Sequence, residues 1–297
     1  MLAEDGSVIL ATAENRGKLG QIVNKTQTET NAASLRAKVI HGVDYTQIEN
    51  LGLEHCSRWL VDGFLSPSDE AKILVAQDGT LKTRKYCAEV LKEQVSPVCR
   101  LCKNELESVG HILSACEKHK FTLYKSRHDE ALRPVVKALC TLNGIISPKP
   151  RKGVPHVLEN DRVKILWDPL VVTLQEMSAR RPDLLVFFKE KKKLVTVEKT
   201  CPWEARMRVA YQEKCRKYML LAQDLKAQYP GWKVRQCTLV MGVLGSFEKD
   251  TYVKELTELF IEDKETLNNV LSEVQRATLM GSNRVIKNHL AEYTNDL

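Results

Sequence analysis

The sequence predicts a mixed α/β or α+β protein with a helical N-terminal part and a small mixed sheet flanked by helices. Three observations predict it. The stretch RRPDLLVFFKEKKKLVTVEKTCPWE, residues 180–204, sets two apolar runs on either side of a charged turn, the pattern of a β-hairpin. Helical periodicity follows at about 204–228, and a further β-rich run, KVRQCTLVMGV, at 233–243 completes a strand, helix, strand order. Upstream, VCRLCKNELESVGHILSAC spaces ligand-type residues as C-x2-C-x8-H-x4-C, which marks a small unit organised by something other than an apolar core.

Taken in chain order, residues 1–43 are polar and weakly periodic, and are read as poorly ordered or unassigned, with room for one short helix. Residues 44–95 form a helical linker region punctuated by Gly52, Gly63, Pro67 and Gly79. Within it, SerProSerAspGlu at 66–70 reads as a helix start, with Pro and acids in the first turn. Residues 96–142 hold the cysteine unit and a following helix from about 120. The segment 143–161 concentrates Pro, Gly and Asn and reads as a linker. The domain proper spans 162–297: short strands in KILWDPLVVTL (164–174), the hairpin, the long helix, the third strand, and closing helices at roughly 252–279 and 283–293.

Composition narrows the classes. A chain of 297 residues with 43% hydrophobic residues can bury sizeable cores, and it is long enough for about two domains. No apolar run approaches the ~18 residues of a membrane span. The opening MLAEDGSVILATAENRGK lacks a signal-peptide pattern, so an intracellular location is expected. Nine cysteines in a reducing compartment then call for reduced thiols or metal ligands rather than disulfides. A net charge of +7 is compatible with a polyanionic partner.

Cys99, Cys102, His111 and Cys116 can close one tetrahedral Cys3His site, with His119 as an alternative or spare ligand. Zn²⁺ would supply the folding energy that so small a unit lacks, and four protein ligands make the ion structural. In the hairpin, a LysGluLysLys turn at 189–192 sets Phe188 against Lys193 and runs the register back to Asp183 opposite Glu198. Opposed residues share a sheet face about 4.5 to 5.5 Å apart. Two such carboxylates repel unless a divalent cation lies between them, and hard oxygen ligands suit Mg²⁺ or Mn²⁺. At 100° per residue, Met207, Tyr211, Tyr218, Leu221 and Leu225 form the core stripe of the next helix. Lys214 falls inside that stripe and Lys217 on its margin, so Lys214 can meet the carboxylates. Lys199 follows Glu198 directly and alternates to the opposite face.

These residues together resemble a known family. ArgProAsp at 181–183, Glu198, ProTrpGlu at 202–204 and Tyr211-x2-Lys214-x2-Lys217-Tyr218 look like a PD-(D/E)xK nuclease, of the branch found as the restriction-enzyme-like endonuclease of site-specific non-LTR retrotransposons. The Cys3His knuckle, followed by ArgHisAsp at 127–129, stands in the order of those proteins, and the resemblance covers roughly residues 50–297. It implies a metal-dependent DNA endonuclease, with Asp183 and Glu198 holding Mg²⁺ or Mn²⁺, Lys214 or Lys217 assisting the cut, and Asp168 as a further acid near the site. The implied partners are DNA and, as a further candidate, RNA, in the nucleus. Lys189, Lys191, Lys192, Lys193, Arg206, Arg208 and Arg216 are candidate phosphate contacts.

Two departures stand out: Glu198 occupies a place more often Asp, and the Y/F-x-D-D signature of a reverse transcriptase is absent. The chain therefore looks like the C-terminal part of such a polyprotein. The competing readings are a nucleic-acid-binding protein that has lost cleavage and a retroelement remnant.

Overall fold

The computed structural model describes residues 16–38, 51, 53–147 and 154–291, and it is a mixed α+β fold around a five-stranded sheet. The strands β1 (Val157–Glu159), β2 (Val163–Trp167), β3 (Leu184–Phe188), β4 (Lys193–Thr200) and β5 (Lys233–Val240) lie side by side in chain order. The first four are antiparallel neighbours, and β5 pairs parallel to β4. A parallel pair needs a crossover. Helices α7 (Met207–Lys217) and α8 (Met219–Gln228) supply it. The helices before them are α1 (Arg16–Arg36), α2 (Leu53–Cys56), α3 (Arg58–Asp62), α4 (Pro67–Gln77), α5 (Arg84–Glu89) and α6 (Leu123–Leu142). After the sheet come α9 (Lys249–Thr257) and α10 (Lys264–Ala291).

The hairpin register is the one its composition dictates: Phe188 pairs with Lys193 and Leu184 with Val197 across a turn at 189–192. Lys192 turns the chain with φ 45°. Strand β4 is buried on both faces, so its side chains divide between two cores. Val195 and Val197 join Leu184, Val186, Cys237 and Leu239 against α6, α9 and α10. Leu194 instead joins Leu185, Tyr218, Leu221 and Leu225 against α8. Since alternate residues share a face, Thr196 and Glu198 lie on the α7–α8 side with Leu194, whereas Lys199 lies on the α6–α10 side.

Several boundaries differ from the sequence reading. The long helix expected at 204–228 is a 3-10 turn, Glu204–Arg206, then α7 and α8, parted at Tyr218. The break lets the Tyr218 hydroxyl donate to the Arg181 carbonyl at 3.0 Å, a contact that heptad-like counting does not reveal. The two closing helices are differently divided: α9 ends at Thr257, and α10 runs unbroken for 28 residues through the expected gap near 280. The helix expected from about 120 is α6; its first turns hold the cysteine unit, where the Tyr124 hydroxyl donates to the Ile112 carbonyl at 2.6 Å, and it goes on into the sheet's core through Ala131, Leu132, Val135, Val136 and Leu139. Linker 143–161 contains β1, which pairs with β2; its Pro-rich middle, 148–153, lies outside the described residues. Within 1–43, α1 is a 21-residue helix with largely exposed side chains; residues 1–15 and 39–50 lie outside the described residues. The helix start at 66–70 is found: Ser66 caps α4 by accepting from the Asp69 amide, with Pro67 in the first turn.

Among the described residues no helix is long and apolar enough to cross a membrane.

Candidate metal and carboxylate sites

The cysteine unit is built by a turn and a helical turn facing each other. Cys99 and Cys102 flank a reversal in which the Lys103 amide donates to the Cys99 carbonyl and Lys103 takes φ 60°. A single π-turn, His111–Ala115, then presents His111 and ends at Cys116. The ligand atoms of Cys99, Cys102, His111 and Cys116 all lie within 4.8 Å of one another, and all four residues are buried. Cys102 Sγ is 3.4 Å from His111 Nε2, and Cys99 Sγ is 4.0 Å from Cys116 Sγ.

The electrostatics suit a cation. Burial and the neighbouring thiols push Cys116 up to about 12, whereas backbone amides of Asn104 and Glu105 outweigh burial at Cys102 and lower it. Burial lowers the pKa of His111, which favours the neutral ring that a metal ion needs. Three soft thiols and an imidazole at this spacing are the donor set of a zinc site, and the residues present fit that ion. His119 is not part of this quartet; it faces His289 of α10 at 3.0 Å.

The unit is locked to the rest of the molecule. Ile112 and Leu113 pack with Val243, Leu244, Val285 and Ile286. Gly110 lies against Trp203, where an added Cβ would stand 3.2 Å from the indole. The ProTrpGlu segment is therefore a joint: Trp203 meets the cysteine unit, and Glu204 Oε1 accepts from the Leu244 amide at 2.7 Å. Arg127, fully buried, completes the lock by donating to the Leu113 carbonyl (2.8 Å) and to Ser282 Oγ (3.1 Å).

The second site forms where β3 and β4 open. Asp183 and Glu198 stand one step beyond the last ladder pair, Leu184 with Val197. The Asp183 amide donates to Glu198 Oε1 at 3.3 Å, and Glu198 also feels the charge of the Asp183 carboxylate. Lys214 reaches Glu198 Oε2 at 2.9 Å. Lys217 does not reach the acids; its side chain is exposed and donates to the Tyr218 hydroxyl at 3.2 Å. Asp168 is tied to Arg181 by a two-pronged contact of 2.7 and 2.9 Å. Its amide donates to the Asp183 carbonyl, so Asp168 braces the strand end rather than adding a free carboxylate. Lys199 turns away: its ammonium donates to the Thr200 carbonyl at 3.1 Å and touches Cys201.

His128 enters this site from α6. Its Nε2 lies 3.0 Å from both Asp183 Oδ2 and the Lys199 carbonyl, and its Nδ1 lies 3.0 Å from Asp129 Oδ1. Both ring nitrogens thus face acceptors only, which requires a proton on each. Burial opposes that charge, but the Asp129 and Asp183 carboxylates outweigh it and raise His128 to about 10. Asp183 also accepts the Lys199 amide at 2.7 Å. Burial alone would raise Asp183; His128 overcomes it and holds the carboxyl below its ordinary value. Glu198 goes the other way: complete burial and the nearby Asp183 push it up to about 7 although Lys214 opposes the shift. Within the ArgHisAsp triplet only its order along the chain had significance for the sequence reading. Three successive residues on one helix point to three surroundings, and which of them meets Asp183 depends on how α6 crosses the sheet.

The expected phosphate contacts are partly consumed. Lys193 is buried against Glu258 at 2.7 Å and over Phe260. Lys189 pairs with Glu159 at 2.7 Å, Lys191 lies over the Phe260 ring, and Arg206 pairs with Glu213 at 3.3 Å. Comparison with models of known protein families finds none that matches the chain, and comparison with curated proteins likewise finds no match.

Proposed function

We propose that the protein is a metal-dependent DNA endonuclease that nicks by water attack on a phosphodiester, similar to the PD-(D/E)xK endonucleases of non-LTR retrotransposons. The observation that carries this reading is the convergence of Asp183, Glu198 and Lys214 at the open end of the hairpin, with Lys214 2.9 Å from Glu198. Two carboxylates at one strand end, one raised to about 7 by burial and by the charge of the other, fit a hard divalent cation such as Mg²⁺ or Mn²⁺. Such an ion would lower the pKa of a bound water and neutralise charge on the phosphate.

The chain's own groups have separable tasks. Asp183 and Glu198 would hold the cation. His128 fixes Asp183 from behind as an imidazolium. Lys214, about a quarter exposed, can turn its ammonium from Glu198 to a phosphate oxygen as charge builds there. Structural zinc at Cys99, Cys102, His111 and Cys116 would hold the cysteine unit against Trp203 and α10, close to α6 and hence to His128. A chromosomal DNA substrate implies a nuclear location, and RNA is a further candidate ligand.

A second reading, a nucleic-acid-binding protein without cleavage, is favoured by one specific feature. Glu198 has no exposed side-chain surface, and both carboxylates already face cations, His128 and Lys214. Incubation of purified protein with supercoiled plasmid and Mg²⁺ or Mn²⁺, alongside Asp183→Ala, separates the two. Nicking by the wild type that the variant lacks supports the enzyme. Equal DNA binding with no cut by either supports the binding protein.

A further inference from the structure

We propose that the cysteine unit holds a second Zn²⁺ ion, bound by Cys116, His119 and His289, beside the Cys3His position. The two positions share Cys116, so this inference rests on the first zinc reading through that one thiolate, which would bridge the ions.

Three observations carry it. The first is local spacing. Cys116 and His119 stand as C-x2-H, and the His119 amide donates to the Cys116 carbonyl at 3.1 Å. That turn sets two ligand-type side chains side by side, as Cys99-x2-Cys102 does for the first ion. The second is convergence over a long sequence distance. His289, near the end of α10, brings Nδ1 to 3.0 Å from His119 Nε2. The donor atoms of Cys116, His119 and His289 lie within 4.8 Å of one another, and all three residues are buried.

The third is the far side of His289. Its Nε2 lies 3.2 Å from Glu107 Oε2, and Glu107 is itself fully buried and gripped by Arg100 through contacts of 2.6 to 3.1 Å. A carboxylate on the outer nitrogen of a histidine fixes the ring and makes the inner nitrogen a better donor, the arrangement that supports zinc-bound histidines. Nε2 also lies 3.7 Å from Cys99 Sγ, which keeps the ring between the two positions.

Three protein ligands leave a fourth position. His119 also lines a cavity of about 520 Å³ with Leu101, Lys118, Thr122, Leu123 and Asn288. The soft thiolate with two imidazoles suits Zn²⁺ over Mg²⁺ or Ca²⁺.

The test is a metal count. The full chain, freed of any affinity tag, is loaded with Zn²⁺, dialysed against metal-free buffer, and assayed for zinc by mass spectrometry together with His119→Gln and His289→Asn. The expected result is two equivalents in the wild type and one in each variant, with unchanged far-ultraviolet circular dichroism. One equivalent in the wild type overturns the second site and leaves the first standing. None overturns both. Loss of both ions from His119→Gln would place His119 in the first site and also overturn the proposal. The wild-type count stands whether or not the variants fold.

Discussion

Lys214 lies sixteen residues after Glu198 on a different element, yet its ammonium stands 2.9 Å from the Glu198 carboxylate, with Glu198 wholly buried. The crossover from β4 into α7 brings them together, because Glu198 faces the α7–α8 side of the sheet and Lys214 lies on the inner side of α7. A lysine supplied from the helix thus takes the place that Lys199, two-fold alternation away, cannot fill.

This pairing separates the two lysines that the family resemblance offers as alternatives, in the sense the helical stripe expects. Lys214→Ala leaves a buried carboxylate without its cation; breaking such a pair costs up to about 3–5 kcal/mol, less here because Lys214 is partly exposed. A lowered Tm and loss of plasmid nicking are expected. Lys217→Ala touches only the Tyr218 hydroxyl, and Tm should change little while nicking persists. Thermal melting and a nicking assay on both variants check this.

Stability should depend on pH through Glu198. Its folded pKa, about 7, lies above the ordinary 4.5, so the native state holds the proton more tightly. That contribution is present below about pH 4.5 and is lost as pH rises through 7, at most roughly 3 kcal/mol. His128, raised to about 10, adds a loss in the same direction between about pH 6.5 and 10. Metal-free protein should therefore melt progressively lower from pH 5 to 9, and Glu198→Gln should flatten the first part of that fall. A Tm series against pH reads both.

His128 is expected to act through Asp183. Removing a group that orients a metal-holding carboxylate typically costs about 10–100-fold in metal affinity or activity. His128→Ala should weaken Mn²⁺ binding by that order, leave Asp183 less acidic, and preserve DNA binding. Titration of Mn²⁺ into wild type and variant decides it; an unchanged affinity would reduce His128 to a packing residue.

Chelation should loosen more than the cysteine unit. Without zinc, Cys116 and its neighbours have no cation to offset their crowding, and the unit is joined to Trp203, Leu244 and α10. A strong chelator is expected to lower Tm and shift tryptophan fluorescence as Trp203 is uncovered. Cys99→Ser should do the same without chelator.

The parts legible in the sequence are those fixed over short distances. A charged turn between two apolar runs sets a period-two register, so Asp183 and Glu198 could be placed by counting back from Lys193. Cys99, Cys102, His111 and Cys116 were legible because spacing along one short segment brings them together. His128 was not, since it lies 55 residues before Asp183 and meets it only through the crossing of α6 with the sheet. His289 is further still from Glu107, and nothing local marks it. The break at Tyr218 was hidden because α7 and α8 keep their apolar spacing across it. Strand β1 was hidden because three residues of strand sit within a stretch whose Pro and Gly content signals a loop.

In the proposed nuclease site Asp183 and Glu198 bracket one divalent cation. Counting bound Mn²⁺ by electron paramagnetic resonance, in zinc-loaded wild type, Asp183→Asn and Glu198→Gln, tests it most directly. One Mn²⁺ site in the wild type, lost or strongly weakened in both variants, is the predicted result. Equal Mn²⁺ binding by all three, or none by the wild type, would contradict the claim and leave the two acids as ion-pair partners of His128 and Lys214.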